Sequence, residues 1–581
     1  MVTERLPVIG LPNNWIFFMI KRNVFIILIL ALFYGVNFGK QILEKPRPLT
    51  DVIDVRAKPV KYSNKVSVPL ITWGGDVATI YAESTGIFRD NGLPVSLFVE
   101  NVFTKQVKKC LLGNTPYLRG TMGMINAASE VFKKNGLKLV IIYQLTWSTG
   151  GDALVVRKSI KKPKHLKNKT IALQLYGPHM DYLANILQNS GVSLNRVKMK
   201  WFSELTIPQN ESRGRIIDPV TAFLNDKSID GVMAIIPDAL NLTSGGRIGT
   251  GAAGSVKGAK ILLSTKTASR VISDVYAVRS DYFMKNKTKV KQFVKSLLKG
   301  QLELKKHLRA KNKSQTFKKV LVRAADMLFG TRQAVADVEG LLGDCTFVGA
   351  GGNSMFFSGR GTTRSMKRLT KEIQRGFISL GLMRHSVKLD SAGLNYSELS
   401  GGIRLDNNSK TKKFDIKKIS QKISVEPTSW ADEGTLFQIE INFSPNQSVF
   451  SEKKYARDFK KALDIAQTYE GALVMIEGHS DPLGILKAKR KHRPSIEISQ
   501  MQQQAKNLSL KRARAVRKSF FKYCKRAGMR VDESQFVAVG MGITNPKYSP
   551  PRTRAEWNAN RRVVFRIKQV EAELNDFKPL D

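Results

Sequence analysis

The sequence predicts a mixed α/β protein. A two-lobed α/β domain over residues 66–404 is followed by a small β-α-β-α-β-β sandwich over 435–581, behind one N-terminal transmembrane helix. Three observations carry that reading. Short apolar runs alternate with stretches of helical periodicity along most of the chain, the pattern of strands covered by helices. Two similar strands, "DALVVRKS" at 152–159 and "DVYAVRSD" at 274–281, bracket a middle region, as in a chain that crosses to a second lobe and returns. Residues 23–39, "NVFIILILALFYGVNFG", are apolar and uncharged.

The elements follow in order. As a helix, residues 23–39 would span about 25 Å, slightly less than a hydrocarbon core of about 30 Å. Lys21 and Arg22 precede them, which favours a cytoplasmic N-terminus and an exported remainder. No clear small-residue cleavage site follows. Residues 1–40 therefore read as a cytoplasmic N-terminus with an uncleaved signal anchor, a cleaved signal being the alternative. The Pro- and Lys-containing stretch 41–65 reads as a linker. "VSVPLITWG" reads as a strand, "ATIYAESTGIF" as a helix and "LPVSLFVE" as the next strand. "LKLVIIYQL", "TIALQLYG" and "DGVMAIIPDAL" are apolar runs suited to buried parallel strands. Val290, Phe293, Val294, Leu297 and Leu298 share one helical face. The second lobe is bounded at about 152 and 274. "GTGAAG" at 249–254 matches a dinucleotide-binding glycine pattern but precedes a strand instead of opening a helix, so it reads as a loop. The polar, Lys-rich stretch 405–434 reads as a second linker, able to reach about 100 Å if extended.

Composition narrows the function classes. Lys plus Arg number 95 against 47 Asp plus Glu, a net charge of +48, which favours acidic partners. The lysines are spread along the chain, and no zinc finger, aromatic RNA-binding motif or basic zipper occurs, so no nucleic-acid partner is inferred. Cys110, Cys345 and Cys524 lie too far apart in sequence for a cysteine metal site or redox pair. The histidines are scattered, and H-E-x-x-H, Walker A and G-x-S-x-G are absent. The sequence therefore assigns no catalytic residue, metal site or cofactor, and the chain reads as a binding protein and not an enzyme.

"ITWGGDVATIYAESTGIFRDNGLPVSLFVE", "GGDALVVRKSIKKPKHLKNKTIALQLYG" and "DGVMAIIPDA" resemble periplasmic solute-binding proteins of the nitrate, sulfonate and thiamine-precursor type. "RGTMGMINAASE" departs from that pattern by lacking an Asp often found there. The resemblance implies a type II periplasmic binding protein fold whose cleft is lined by strand-to-helix turns. On those turns stand Trp73, Gly74, Asp76, Thr121, Trp147, Ser148, Thr149, Gly177, His179, Pro237 and Asp238. Backbone N–H groups at the helix N-termini would favour anionic groups. Trp73 and Trp147 either stack a planar ligand or belong to the core, and Asp76 and Asp238 either face ligand or cap helices.

The C-terminal part carries a second resemblance. Phe443, Asn446 and Ser448, then "GHSDPLG", "LSLKRARAV", "GMGITNP" and "NANRRVVF", follow the motif order of the OmpA-like peptidoglycan-binding domain. That family binds the diaminopimelate residue of the wall peptide. The resemblance implies that Asp481 meets the ligand's ammonium and Arg512 its carboxylate, with Asn560, Arg561 and Arg562 in support. Asp481 and Arg512 otherwise read as a structural ion pair, and Arg561 is not distinguished from Arg562. A zwitterion is specified by opposite charges on rigid elements, and Arg offers a forked donor to a carboxylate. The basic connection 485–507 is longer than the family's and reads as a solvated loop or as a cover for the pocket.

Together these features point to a periplasmic solute-binding protein held in the inner membrane by a single span and tethered to peptidoglycan. It would serve a small solute through an ABC permease or as a sensor. The alternative is an ion-driven stator-like or structural envelope protein whose α/β region binds a protein partner. Against a stator, residues 23–39 lack an ionisable group.

Overall fold

A computed structural model describes residues 40–206, 215–310, 312–360, 364–401, 435–442, 453–529 and 531–569. The apolar segment 23–39, the linker 405–434 and the motif residues Phe443, Asn446 and Ser448 lie outside the described residues. Among the described residues no helix is long and apolar enough to cross a membrane.

The first domain is built on two mixed sheets. Its leading elements are β1 (Val66–Leu70), α1 (Asp76–Ser84), β2 (Val95–Val99), β3 (Tyr117–Thr121), α2 (Met122–Lys134) and β4 (Leu139–Ser148). The chain then crosses at 149–151 into β5 (Asp152–Val156), β6 (Thr170–Gln174), α3 (Met180–Asn189), β7 (Lys198–Phe202), β8 (Gly231–Ile235) and β9 (Lys260–Ser264). It returns through 265–272 into β10 (Ser273–Arg279). Lobe one holds β4, β10 and β3 side by side, all antiparallel, with β1 and β2 as a separate parallel pair. Lobe two has the order β9-β5-β8-β6-β7, parallel from β8 to β7. Thus β6 is a buried parallel strand, as its apolar run suggests. The main neighbour of β4, β10, instead runs antiparallel to it, because the return strand re-enters beside the strand that left.

Two further elements bridge the lobes. The helix α4 (Met366–Ser379) places Gly376 against Ala184 of α3, a Cβ there standing 3.3 Å away, while its Gln374 donates to Asn126 of α2 at 2.8 Å. The stretch 41–65 is not a free linker. Leu49 and Ile53 are buried, Glu44 N–H donates to Trp201 O in lobe two at 2.8 Å, and Lys58 N–H donates to Leu111 O in lobe one at 2.8 Å. Apolar anchors among its prolines convert an apparent spacer into a strap.

The C-terminal domain follows the order β11 (Thr435–Asn442), α5 (Ala456–Thr468), β12 (Leu473–Gly478), α6 (Leu483–Arg490), α7 (Ser495–Arg526), β13 (Phe536–Gly540), α8 (Arg554–Asn560) and β14 (Arg562–Lys568). Its sheet order is β11-β14-β12-β13, with β12 and β13 parallel. Ala513, Val516, Phe520 and Cys524 bury one face of α7 against this sheet. The basic connection 485–507 forms α6 and the first turns of α7 instead of a loop. Its run is rich in Gln and Lys and has no Gly, and its one Pro, Pro494, falls between the two helices, so little inside either opposes helix.

This domain sits on the return crossing of the first. Arg270 Nε donates to Glu470 Oε2 at 2.5 Å, and Arg270 N–H to Thr468 O at 3.2 Å. Arg368 of α4 reaches Asp464 Oδ1 at 3.0 Å and Gln467 Oε1 at 2.9 Å. Tyr469 Oη donates to Asn185 Oδ1 at 3.1 Å. Gly471 lies so close to the Lys266 carbonyl that a Cβ would stand 2.0 Å from its oxygen.

Candidate functional sites

The first site lies where the lobes meet. Arg119, on fully buried β3, donates through Nε and Nη2 to the Asp76 carboxylate and through Nη1 to Asp274 Oδ1 at 3.0 Å. Asp274 Oδ2 also accepts from Thr146 Oγ1 at 3.1 Å, and that hydroxyl receives Trp73 Nε1–H at 3.1 Å. Across the seam Asp152 accepts from Ser148 Oγ at 2.6 Å and pairs with His179 Nε2 at 2.8 Å. Asp181, in the first turn of α3, reaches the N-terminus of α2, where a Cβ on Gly123 would stand 2.4 Å from its Oδ1. Burial pushes the Asp76 carboxyl up to about 6, against the lowering effect of Arg119. Burial pushes Asp181 up to about 7, opposed by Arg364 and reinforced by Asp152 and Asp274.

The sequence-predicted cleft residues divide. Trp73, Asp76, Ser148 and His179 enter this network, and Trp73 lies over Gly151 at the first crossing. Thr121 caps α2, its Oγ1 accepting from Met124 N–H at 3.2 Å. Thr149 bonds Thr346 and Asp344 at the rim, and Gly74 packs on the Leu341 carbonyl. Trp147 is a core residue, edge-on to Phe356 with Arg270 over its ring. Gly177 packs on the side chain of Gln174 in its own lobe. Pro237 and Asp238 open the helix Ile236–Leu242 in lobe two, and burial raises the Asp238 carboxyl. Sequence reading missed Arg119, Asp152, Asp181 and Asp274. The signal was present: each of the two look-alike strands begins with Asp, and Arg119 is a charge inside a buried strand.

The second site is on the C-terminal domain. Gly478 and Gly540 let α7 lie directly on the sheet, since a Cβ at either would meet Ser509 O at 2.0 Å or Lys506 O at 2.6 Å. That approach seats α7 against the loop after β12, where Ser480 Oγ donates to Ala505 O at 3.1 Å, and Arg512 lies farther along the same helix beside Arg561. Asp481 in that loop accepts Leu483 N–H at 3.1 Å and faces Arg561 Nη2 at 3.4 Å. Burial and the neighbouring Arg561 both lower the Arg512 pKa. Two guanidiniums and one carboxylate therefore share a half-buried site suited to a group carrying both charges. Asn560 is structural: its amide holds Lys547 N–H, Tyr548 N–H and Tyr548 O. Arg562 turns to Asn545 O at 3.0 Å, so Arg561, and not Arg562, faces Asp481. A groove of about 520 Å³ opens beside the site, lined by Gln500, Gln503, Lys506, Met541 and Thr544 among others.

Among the described residues no group of three or more His, Cys, Asp or Glu is arranged to hold a metal ion. A family model described as NMT1/THI5 like matches residues 76–308. No curated protein matches the chain. Among solved structures, the chain is similar to the Candida albicans CA3427 gene product, which is described as having the generic periplasmic binding protein fold. Identity is 12%, covering 56% of this chain and 92% of that one, with a TM-score of 0.38. It is also similar to the aliphatic sulphonate binding protein SsuA of Escherichia coli, at 12% identity over 56% and 90% of the two chains, TM-score 0.38. A third similar structure is the desulfurization enzyme DSZB, at 14% identity over 58% and 100%, TM-score 0.36.

Proposed function

We propose that this chain is a periplasmic solute-binding protein, non-enzymatic, held in the inner membrane by residues 23–39 and tethered to peptidoglycan by its C-terminal domain. The observation that carries the reading is the polar seam at the two crossings. Two sheets joined by the crossings at 149–151 and 265–272 bury Asp76, Arg119, Asp152, His179, Asp181 and Asp274 between them. Buried charged groups at a lobe boundary are what a closing cleft uses to select a solute. The NMT1/THI5-like match over 76–308 spans both crossings and supports the same reading. An ABC permease or a sensing partner would receive the loaded form.

The wall-binding half rests on Asp481, Arg512 and Arg561. Diaminopimelate presents an ammonium and a carboxylate on one carbon, and this site offers one acceptor and two forked donors. Pull-down of the full-length protein with diaminopimelate-type peptidoglycan tests it. Asp481→Ala and Arg512→Ala should each abolish sedimentation with the wall while melting behaviour is retained. Sedimentation by both folded variants would refute the assignment. For the solute half, Trp73→Ala should weaken whichever ligand raises the melting temperature of the full chain.

A further inference from the structure

We infer that the solute bound at the seam is an organic cation rich in N–H donors, such as a protonated amine or guanidine, and not an anion. This rests on the solute-binding reading above and adds the ligand's chemical class. The first argument is electrostatic. The buried guanidinium at the seam, Arg119, is fully committed: its nitrogens serve Asp76, Asp274 and the Gly120 carbonyl. Asp152 and Asp181 add two more buried carboxylates on the opposite lobe. An anion would meet acids, and the further buried base beside them, Arg364, gives Nη1 to the Arg270 carbonyl and Nη2 to Glu372, leaving only its Nε unpartnered. The N-terminus of α2, the natural niche for an anion, faces the Asp181 carboxylate at Gly123.

The second argument is independent of charge. Asp181 Oδ1 and His179 Nδ1 are both buried and have no hydrogen-bond partner. A carboxylate only accepts, so the imidazole presents Nε2–H to Asp152, and in the neutral ring Nδ1 is left as a lone pair. With Asp181 ionised and the ring carrying its one proton on Nε2, both unmet atoms are acceptors, two residues apart at the start of α3. Unmatched buried acceptors are costly, and a ligand bringing N–H donors satisfies both. Trp73, linked to Asp274 through Thr146, adds an aromatic face at the same seam. The carboxylates are not arranged as a metal-ligand set, which selects a molecular cation over a metal ion.

Burial holds the Asp181 carboxyl near neutrality against the opposing charge of Arg364, so it can still answer a cation brought by a ligand.

The test is calorimetric titration of the full-length protein with matched pairs. The pairs are alkylamines and diamines against carboxylates of the same chain length, and agmatine against alkanesulfonates and nitrate. Amines or guanidines should bind, and their anionic counterparts should bind at least about tenfold more weakly. Asp181→Asn, close in shape, should weaken the cation by about tenfold or more, and His179→Phe should weaken it also. Binding of anions without cations overturns this inference but leaves a solute-binding protein. Cation binding unchanged in both folded variants overturns the site. Binding of neither class overturns both this inference and the solute-binding reading.

Discussion

Replacing Gly471 by alanine should lift the C-terminal domain off the return crossing while leaving both domains folded. Gly471 has no left-handed backbone, so alanine adds bulk without local strain. Its Cβ would stand 2.0 Å from the Lys266 carbonyl oxygen and 3.1 Å from Thr267 Cα. Ordinary contact needs about 3.2 Å or more, so the two backbones must separate by roughly 1 Å, and neither is a flexible side chain that can step aside. The contacts beside it are short: Arg270 to Glu470 at 2.5 Å, Arg368 to Asp464 at 3.0 Å, and Arg270 N–H to Thr468 O at 3.2 Å. Opening by 1 Å takes the second and third to about 4 Å or more, beyond hydrogen-bond range, and the first to its outer edge. Overpacking of this kind costs about 1–3 kcal/mol, which shifts the docking equilibrium roughly five- to 150-fold. Native-state amide exchange reads this directly, because the Arg270 N–H is bonded across the interface. Its protection should fall by that factor, while amides in the centres of β10 and β12 stay protected. Unchanged protection at Arg270 would refute the reasoning, and lost protection throughout β12 would mean that the domain itself had unfolded.

Two other expectations concern the seam. Arg119→Ala leaves Asp76 and Asp274 buried without their guanidinium, and should lower stability by about 3–5 kcal/mol in denaturant titration; a loss below about 1 kcal/mol would show that the triad is not an interdependent unit. Asp181 has a folded pKa of about 7 against an ordinary 3.8, so the folded state keeps a proton that the unfolded chain has released. The stabilisation from that proton is complete below about pH 4 and is lost as pH rises through 7. Asp181→Asn removes this dependence, so the variant should gain on the parent protein from pH 4 to 8, by up to about 4 kcal/mol, in melts across that range. A constant difference would show that Asp181 does not titrate in that window.

Much of the architecture was legible because it depends on local pattern. The apolar runs 139–148 and 170–174 announce strands whatever their neighbours, and the spacing from Val290 to Leu298 announces a helix face. In the C-terminal domain the same periodicities announce the four strands, the helix 456–468 and the later turns of the helix 495–526 in order, but not the additional short helices 483–490 and 554–560 that interrupt the expected β-α-β-α-β-β sequence. The stretch 41–65 was misread for a reason of the same kind. Prolines and lysines look like a spacer locally, and only the distant pockets that receive Leu49 and Ile53 show it to be a strap.

The sequence by itself determined that this chain alternates strand and helix and that its charge surplus is spread. The tertiary structure alone decided that Arg561 and not Arg562 faces Asp481, that Trp147 is core, and that Arg119 is claimed by two carboxylates distant in sequence, Asp76 and Asp274. The physical reason is that helix and strand periodicity are encoded within a few residues, whereas charge pairing and burial depend on which distant segments the fold brings within about 4 Å.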